Sequence, residues 1–316
     1  MKDQHFNANA GKFQDPLKTA DGQERAEVAL SHPETLWFNT GTLCNITCAN
    51  CYIESSPDND ALVYLTAPEA EDYLDQIGER NWPIREIGLT GGEPFMNPAT
   101  LDIIEAALAR GYEVLVLSNA MRPMQRPRIK AGLERLNAAY PGKLTLRVSI
   151  DHFSPEVHDL ERGKGSFAIT LDGMRWLRDA SIRTAVAGRI AFGEGEGDTR
   201  AGFARLYAEN DLKIDAQDPG ITVLFPEMDM NVEVPEITTA CWGILNKSPE
   251  DVMCSSSRMV VKRKGAARPV VLACTLLAYD EEFEMGHTLE EAERPVRLNH
   301  PHCAKFCVLG GASCSA

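Results

Sequence analysis

The sequence predicts an α/β protein, with a (β/α)6 partial barrel of the TIM type followed by a smaller α+β domain. Short β-rich runs alternate with amphipathic helical stretches from Leu36 onward, and the alternation stops after Pro226. A hydrophobic fraction of 44% over 316 residues is enough for a large buried core. We therefore expect a polar N-terminal tail or loose wrap at 1–34, a core domain at 35–226 and a C-terminal domain at 227–316.

The core domain is predicted from six β-rich runs, each followed by a helical stretch or by a loop that leads to one. The runs begin at residues 36, 85, 113, 144, 183 and 221. The helical stretches carry apolar residues near i, i+3, i+4 and i+7. They cover residues 67–80, 97–111, 128–140, 167–180 and 199–210. Repeated βα units with right-handed crossovers form a parallel sheet covered by helices, and their chemistry lies at the carboxyl ends of the strands.

The C-terminal domain contains a predicted β-hairpin at 257–274, where two β-rich runs flank KGAA. Cys254 lies just before the first strand and Cys274 at the end of the second. Because these two ends of an antiparallel pair lie side by side, we expect the two thiols to be neighbours. Three later cysteines could close a metal site on that pair: Cys303, Cys307 and Cys314.

The charge distribution excludes some classes of partner. The net charge of −14 gives a field that repels nucleic acid and anionic lipid. No stretch approaches the roughly 18 consecutive apolar residues of a membrane helix, and the N-terminus has no apolar run of the signal-peptide kind. We expect a cytoplasmic protein with neither nucleic acid nor membrane as a partner.

The stretch CNITCANCY places Cys44, Cys48 and Cys51 just past the first predicted strand. Nine cysteines in a reducing compartment are not expected to form a disulfide framework, and their clustering indicates metal binding. A closed zinc site requires four ligands. A [4Fe-4S] cluster held by three thiolates keeps one iron open to an outside ligand, which makes it a chemical site.

Together with TGGEPFMNP (90–98) after the second strand, CNITCANCY resembles the radical S-adenosylmethionine (radical SAM) superfamily. The resemblance implies that the cluster's open iron binds the amino and carboxylate groups of S-adenosylmethionine. An electron from the cluster then cleaves the sulfonium to methionine and a 5′-deoxyadenosyl radical, which abstracts hydrogen from a substrate. It also implies an electron donor such as flavodoxin or ferredoxin.

The same resemblance assigns the cofactor-binding residues. Gly91 and Gly92 match the family's glycine-rich turn, where the missing Cβ lets the backbone approach the methionine part of the cofactor. Glu93 would take the protonated amino group. Arg189 is the candidate to bind the cofactor carboxylate. The candidates to bind the ribose hydroxyls lie at strand ends and are Asn119, Ser149 and Asp151.

Residues 146–167 resemble a branch of the family that includes peptide-maturing and dehydrogenating enzymes. The matches are Ser149, Asp151, His158, Asp159, Arg162 and Gly163. His152 stands where that branch commonly has glycine. We interpret it as a hydrogen-bonded loop histidine, with a substrate contact as the alternative.

The second cysteine set resembles the auxiliary-cluster domains called SPASM and, in the one-cluster form, Twitch. The resemblance predicts one further [4Fe-4S] cluster on Cys254, Cys274, Cys303 and Cys307, with Cys314 as the rival for the fourth position. A structural zinc site is the competing interpretation. Cys241 has no partner at metal spacing and is interpreted as an inert thiol.

The predicted function is therefore radical SAM chemistry that oxidises its substrate, by dehydrogenation or bond formation. Only about 34 residues precede the barrel, which leaves no room there for a separate peptide-recognition domain and favours a small metabolite. The alternative within the family is a maturase of ribosomal peptides. The alternative from another class is a non-catalytic zinc-binding module.

Overall fold

A computed structural model of the chain describes residues 9, 11–190, 193–226 and 232–310. All six predicted core strands form, after a short first strand β1 (Glu27–Val28). They run parallel in sequence order, with β2 paired to β3 and so on to β7. Their bounds are β2 (Thr35–Asn39), β3 (Glu86–Thr90), β4 (Glu113–Ser118), β5 (Leu144–Ser149), β6 (Arg183–Ile190) and β7 (Thr222–Pro226). The predicted α/β class with a partial, unclosed barrel is confirmed.

The helices cross between these strands. Their bounds are α1 (Ala67–Arg80), α2 (Thr100–Ala109), α3 (Arg122–Gln125), α4 (Pro127–Ala139), α5 (Pro155–Arg162), α6 (Ser166–Asp179), α7 (Glu196–Glu209) and α8 (Cys241–Leu245). The five predicted helices are α1, α2, α4, α6 and α7. Helix α1 begins at a capping box, in which the Thr66 hydroxyl accepts from the Glu69 amide and the Glu69 carboxylate from the Thr66 amide.

The C-terminal part adds its strands to the same sheet. They are β8 (Ser257–Val261), β9 (Val270–Leu272), β10 (Glu284–Gly286) and β11 (Val296–Arg297). The hairpin of β8 and β9 is antiparallel as predicted, and β8 also pairs parallel with β2. One sheet of nine strands therefore crosses the predicted domain boundary after 226, in the order β10-β9-β8-β2-β3-β4-β5-β6-β7.

The described part of the N-terminal segment packs against the C-terminal part. Strand β1 pairs antiparallel with β11. Arg25 is buried and forms an ion pair of 2.6 Å with the buried Glu236 carboxylate. The division into tail, core and C-terminal domains stays a prediction, because contacts of this kind cross both proposed boundaries.

The core lies on both faces of the sheet, as expected for strands covered by helices. Strand β2 is buried along its whole length and includes Trp37 and Phe38, which are fully shielded from solvent. No helix in the described ranges has the length and apolar character needed to cross a bilayer.

Candidate active site

A cavity of about 180 Å³ lies at the carboxyl ends of the core strands. Loops and strand ends that are far apart in sequence meet there, as the parallel topology requires. Every predicted residue of the first cluster and the cofactor site lines the cavity except Glu93, which lies directly behind it. The lining set is Cys44, Cys48, Cys51, Gly91, Gly92, Asn119, Ser149, Asp151 and Arg189.

The three thiols of the first set are carried by the loop after β2. Cys44 is buried, and its amide donates to the Ser56 carbonyl at 3.0 Å. The Ser55 amide donates to the Cys51 sulfur at 3.3 Å. Burial raises the pKa of the Cys44 thiol to about 12 and also raises the pKa of Cys48. Without a metal group Cys44 and Cys48 hold their protons, so loading a thiolate-ligated cluster releases protons.

The glycine-rich turn after β3 lies directly on the cysteine loop. The Gly92 amide donates to the Gly41 carbonyl at 2.8 Å, and the Glu93 amide donates to the Leu43 carbonyl at 3.1 Å. A Cβ on Gly92 would lie 2.3 Å from the Leu43 oxygen. Gly91 has φ +135°, and a Cβ there would lie 2.5 Å from the Gly41 oxygen. The two glycines therefore permit close contact between two backbones, in addition to lining the cavity.

Glu93 is almost completely buried and is held by three donors. Its carboxylate accepts from the Ser118 hydroxyl at 2.9 Å, the Asn119 amide at 2.9 Å and the Phe95 amide at 3.3 Å. Burial is the largest influence and raises the pKa of Glu93 to about 7, against the opposing effect of these hydrogen bonds. The carboxyl group can therefore change protonation state near neutral pH.

Asn119 connects the end of β4 to the cysteine loop. Its side-chain NH2 donates to Asn45 Oδ1 at 2.9 Å and lies 3.9 Å from the Cys44 sulfur. Its Oδ1 accepts from the Met121 amide at 2.9 Å, which fixes the orientation of the amide group. A weak donor is thus aimed at a predicted cluster ligand.

Asp151 forms a two-pronged ion pair with Arg162, with N···O distances of 2.7 and 2.9 Å. Burial alone would raise the pKa of Asp151, but the Arg162 guanidinium outweighs it, and the pKa lies below its usual value. Burial would likewise lower the pKa of Arg162, but Asp151 and the Cys48 thiol raise it. Asp151 is therefore an anion in this site, and Arg162 is a cation beside the thiols of the cysteine loop.

Glu161 is a site residue that the sequence analysis missed. Its carboxylate accepts from Arg189 Nη1 at 3.0 Å and from Asn50 Nδ2 at 2.7 Å, and its carbonyl accepts from the Ala49 amide at 2.8 Å. One residue of α5 thus connects the cysteine loop to β6. Only the position of α5 across the cavity identifies this role, because the pairs span 28 and 111 residues of sequence.

His152 is a hydrogen-bonded loop histidine, as interpreted from the sequence. The Ser154 amide donates to its Nδ1 at 3.0 Å, so the ring proton lies on Nε2, 3.1 Å from the Glu194 carboxylate. Asp159 holds the start of α6 by accepting from the Gly165 and Phe167 amides at 2.6 and 2.8 Å. These positions stabilise the loops around the cavity.

The second cysteine set converges on a small apolar pocket. Cys254 lies just before β8 and Cys274 just after β9, and both line this pocket together with Cys303 and Cys307. Burial raises the pKa of Cys303 strongly, and the neighbouring Cys274 and Cys254 thiols raise it further. Four thiols are therefore grouped here. Cys314 lies outside the described residues.

Leu276 is shared by the two sites. Its side chain lines both the large cavity and the four-thiol pocket, and its amide donates to the Cys274 sulfur at 3.3 Å. Within the described ranges, no three histidine, cysteine or carboxylate side chains meet closely enough to ligate a single metal ion. The ligands of a cluster bind different irons and stand further apart than those of one ion.

Comparison with known families agrees with this geometry. The profile of the radical SAM superfamily matches residues 38–206, which is more than half of the chain. The chain belongs to the radical SAM superfamily. It is therefore an enzyme whose cofactors are a [4Fe-4S] cluster and S-adenosylmethionine, and the matched segment runs from β2 into α7.

Two curated relatives show the range of sequence similarity. The antilisterial bacteriocin subtilosin biosynthesis protein AlbA of Bacillus subtilis is 36% identical over 145 residues, which is 46% of this chain and 30% of AlbA. The mycofactocin maturase MftC of Mycobacterium ulcerans is 25% identical over 162 residues, which is 51% of this chain and 41% of MftC. The match therefore spans less than half the length of either relative.

Two solved structures with bound S-adenosylmethionine share the fold. Streptococcus suis SuiB bound to S-adenosylmethionine has a TM-score of 0.59 at 11% identity, over 81% of this chain and 63% of SuiB. Native anSMEcpe with bound AdoMet has a TM-score of 0.58 at 13% identity, over 88% of this chain and 83% of that one. At these identities the likeness concerns the fold.

We predict that Gly92→Ala destabilises the apoprotein by about 1–3 kcal/mol, because the new Cβ overlaps a backbone carbonyl that cannot rotate away. The free energy of unfolding in urea measures this. Gly78→Ala is the matched control, since open space surrounds that position in α1 and alanine favours a helix. Equal stability of the Gly92→Ala variant and the wild type would contradict the backbone contact.

Glu93 also predicts a pH dependence of stability. At pH values between 4.5, the usual pKa of a glutamate, and about 7, the pKa of Glu93 in the folded chain, the carboxyl group is deprotonated in the unfolded chain and protonated in the folded chain. Stability of the apoprotein should fall as pH rises through this window, by about 3 kcal/mol from this group. Urea unfolding at several pH values should show a smaller fall for Glu93→Gln, whereas the exposed Glu113→Gln should follow the wild type. Identical pH profiles of Glu93→Gln and the wild type would contradict the assignment.

Proposed function

We propose that this radical SAM enzyme holds its cluster on Cys44, Cys48 and Cys51 and modifies a peptide substrate. The observation that carries the proposal is the three-thiol loop lying on the glycine-rich turn at the wall of one cavity. When bound, the cluster and S-adenosylmethionine supply a 5′-deoxyadenosyl radical that removes hydrogen from a substrate.

The protein residues have separate roles in this proposal. Gly91 and Gly92 line the cavity and would contact the methionine part of the cofactor through their backbone, and Glu93 would accept a hydrogen bond from its amino group once the carboxylate turns from behind the cavity wall. Asn119, Ser149 and Asp151 would bind the ribose hydroxyls. Arg189 would bind the cofactor carboxylate, while its present partner Glu161 holds it at 3.0 Å on the cavity wall.

We also propose a second [4Fe-4S] cluster on Cys254, Cys274, Cys303 and Cys307. The grouping of four thiols in one apolar pocket supports this ligand set. Membership of an enzyme family that uses iron–sulfur clusters favours iron over structural zinc and argues against a non-catalytic zinc module. A closed site of four thiolates suits an electron-accepting centre, which supports a net oxidation of the substrate. A flavodoxin- or ferredoxin-like protein would supply electrons to the first cluster.

The names of relatives and the charges of the cavity lining both support a peptide substrate. AlbA and MftC are named for bacteriocin biosynthesis and for maturation, and one SuiB structure contains a precursor peptide. The small metabolite favoured by the sequence has support from shorter matches, of 27–29% identity over 37–42% of this chain, to enzymes named GTP 3′,8-cyclase. Arg162 in the cavity is paired with Asp151, and Arg189 is assigned to the cofactor carboxylate, so neither charge is left for a polyphosphate. A neutral or cationic peptide segment fits this lining better than a nucleotide.

We predict that replacing Cys44, Cys48 and Cys51 together with alanine lowers the iron content from about eight to about four per chain. The same variant should form no 5′-deoxyadenosine from S-adenosylmethionine and dithionite. Anaerobic iron analysis and chromatography measure the two quantities. Cys241→Ala is the control and should retain both, because that sulfur accepts a weak hydrogen bond from the Thr238 amide and shares another with the Thr238 hydroxyl. Product formed by the triple variant would refute the assignment.

The fourth ligand of the second cluster is tested by single variants. Cys307→Ala should lose about half of the iron, because its thiol lines the pocket shared with three other cysteines. Cys314→Ala should keep the full iron content. The reverse result would make Cys314 the ligand.

The peptide substrate is tested with a heat-treated extract of the producing cells, fractionated by size and divided in two. One half is digested with proteinase K, which is then heat-inactivated. We expect a fraction that stimulates 5′-deoxyadenosine formation to lose this effect after digestion. Stimulation that survives digestion would favour a small metabolite.

A further inference from the structure

Arg258 lies on β8 beside the four-thiol pocket and is almost completely buried. Its guanidinium donates to the carbonyls of Cys254 at 2.6 Å, Ser257 at 2.8 Å and Ala292 at 2.8 Å. A longer contact of 3.4 Å reaches the Arg294 carbonyl. These bonds hold the cation against the backbone of a predicted cluster ligand.

The charge of Arg258 has no carboxylate partner among the residues that the structure describes. Two of the other buried arginines differ in this respect. Arg25 pairs with Glu236 at 2.6 Å and Arg200 with Glu196 at 2.8 Å. A buried cation without a counter-anion is costly, even when carbonyl dipoles satisfy its hydrogen bonds.

The groups that can supply negative charge near Arg258 are thiols. Arg258 Nη1 donates to the Cys254 carbonyl at 2.6 Å, and the Cys274 thiol lines the same pocket as the Cys254 thiol. As neutral thiols these groups compensate little of the charge. As thiolates around an iron–sulfur cluster they form an anionic site, and its negative charge increases when the cluster takes up one electron.

We propose that Arg258 is the buried counter-cation of the second cluster, which positions Cys254 and raises the cluster's reduction potential. This inference rests on the proposed four-thiol cluster site. The cation lowers the energy of the more negative, reduced form more than that of the oxidised form, since Coulomb attraction is weakly screened in an apolar pocket. The effect requires the charge of the side chain, whereas a purely structural role requires only its hydrogen bonds and volume.

The test uses the full-length chain with Cys44, Cys48 and Cys51 replaced by alanine, so that only the second cluster is observed. Its midpoint potential is measured by redox titration followed by electron paramagnetic resonance. Arg258→Met and Arg258→Gln remove the charge, and Arg258→Lys keeps it. We expect the neutral variants to be at least tenfold harder to reduce, a shift of about 59 mV to more negative potential for one electron. Arg258→Lys should remain near the parent value.

Arg297→Met is the matched control. Arg297 stands between Val296 and Leu298, which line the pocket, but its own side chain is half exposed and lies near Glu27. Water screens this charge, so its removal should leave the potential unchanged.

The outcomes separate the inference from the proposed function. Loss of the cluster in both neutral variants but not in Arg258→Lys would also support the counter-cation role. The inference would be overturned if Arg258→Met or Arg258→Gln kept its iron and the midpoint potential of the parent chain. It would also be overturned if Arg258→Lys shifted the potential as much as Arg258→Met. A parent chain that binds no iron after loss of the first three cysteines would refute the second cluster itself, and the inference with it.

Discussion

The arrangement around the cavity depends on the direct backbone contact between the loop after β2 and the turn after β3. Amides of Gly92 and Glu93 donate to carbonyls of Gly41 and Leu43, immediately before Cys44. The same turn directs Glu93 toward the end of β4, where Ser118 and Asn119 donate to it. Three successive strand ends are thereby fixed relative to one another by a few hydrogen bonds, most of them buried. A side chain at position 92 is excluded for this mechanical reason, independent of any ligand.

Much of the fold could be predicted because its signals are local. Hydrophobic periodicity within each segment is enough to place six strands and five long helices, and the capping box at Thr66 marks a helix start in the sequence itself. The pairing of β8 with β2 could not be predicted, because it joins segments more than 200 residues apart through backbone groups that every sequence has. Short helices such as α3 and α5 have too few turns to give a periodic pattern.

The candidate site also has parts that the sequence predicts and parts that it does not. Cys44, Cys48, Cys51 and the glycine turn are contiguous motifs, and their grouping follows from parallel strands that end at one edge. Glu161 could not be identified in advance, because its role arises from where α5 crosses the cavity rather than from its neighbours in sequence. The electrostatic difference between the two sites is likewise visible only in three dimensions. Arg162 and Arg189 of the large cavity have carboxylate partners, and Arg258 beside the small pocket has only carbonyls within the described residues.

Leu276 lines both the large cavity and the four-thiol pocket, and among the described residues it is an apolar contact between the two sites. A hydrocarbon side chain offers no chain of water or hydroxyl groups along which a proton could pass. An electron needs no such carrier to cross a single side chain. If the four-thiol pocket holds the proposed cluster, the contact through Leu276 favours the passage of electrons over the passage of protons between the two sites.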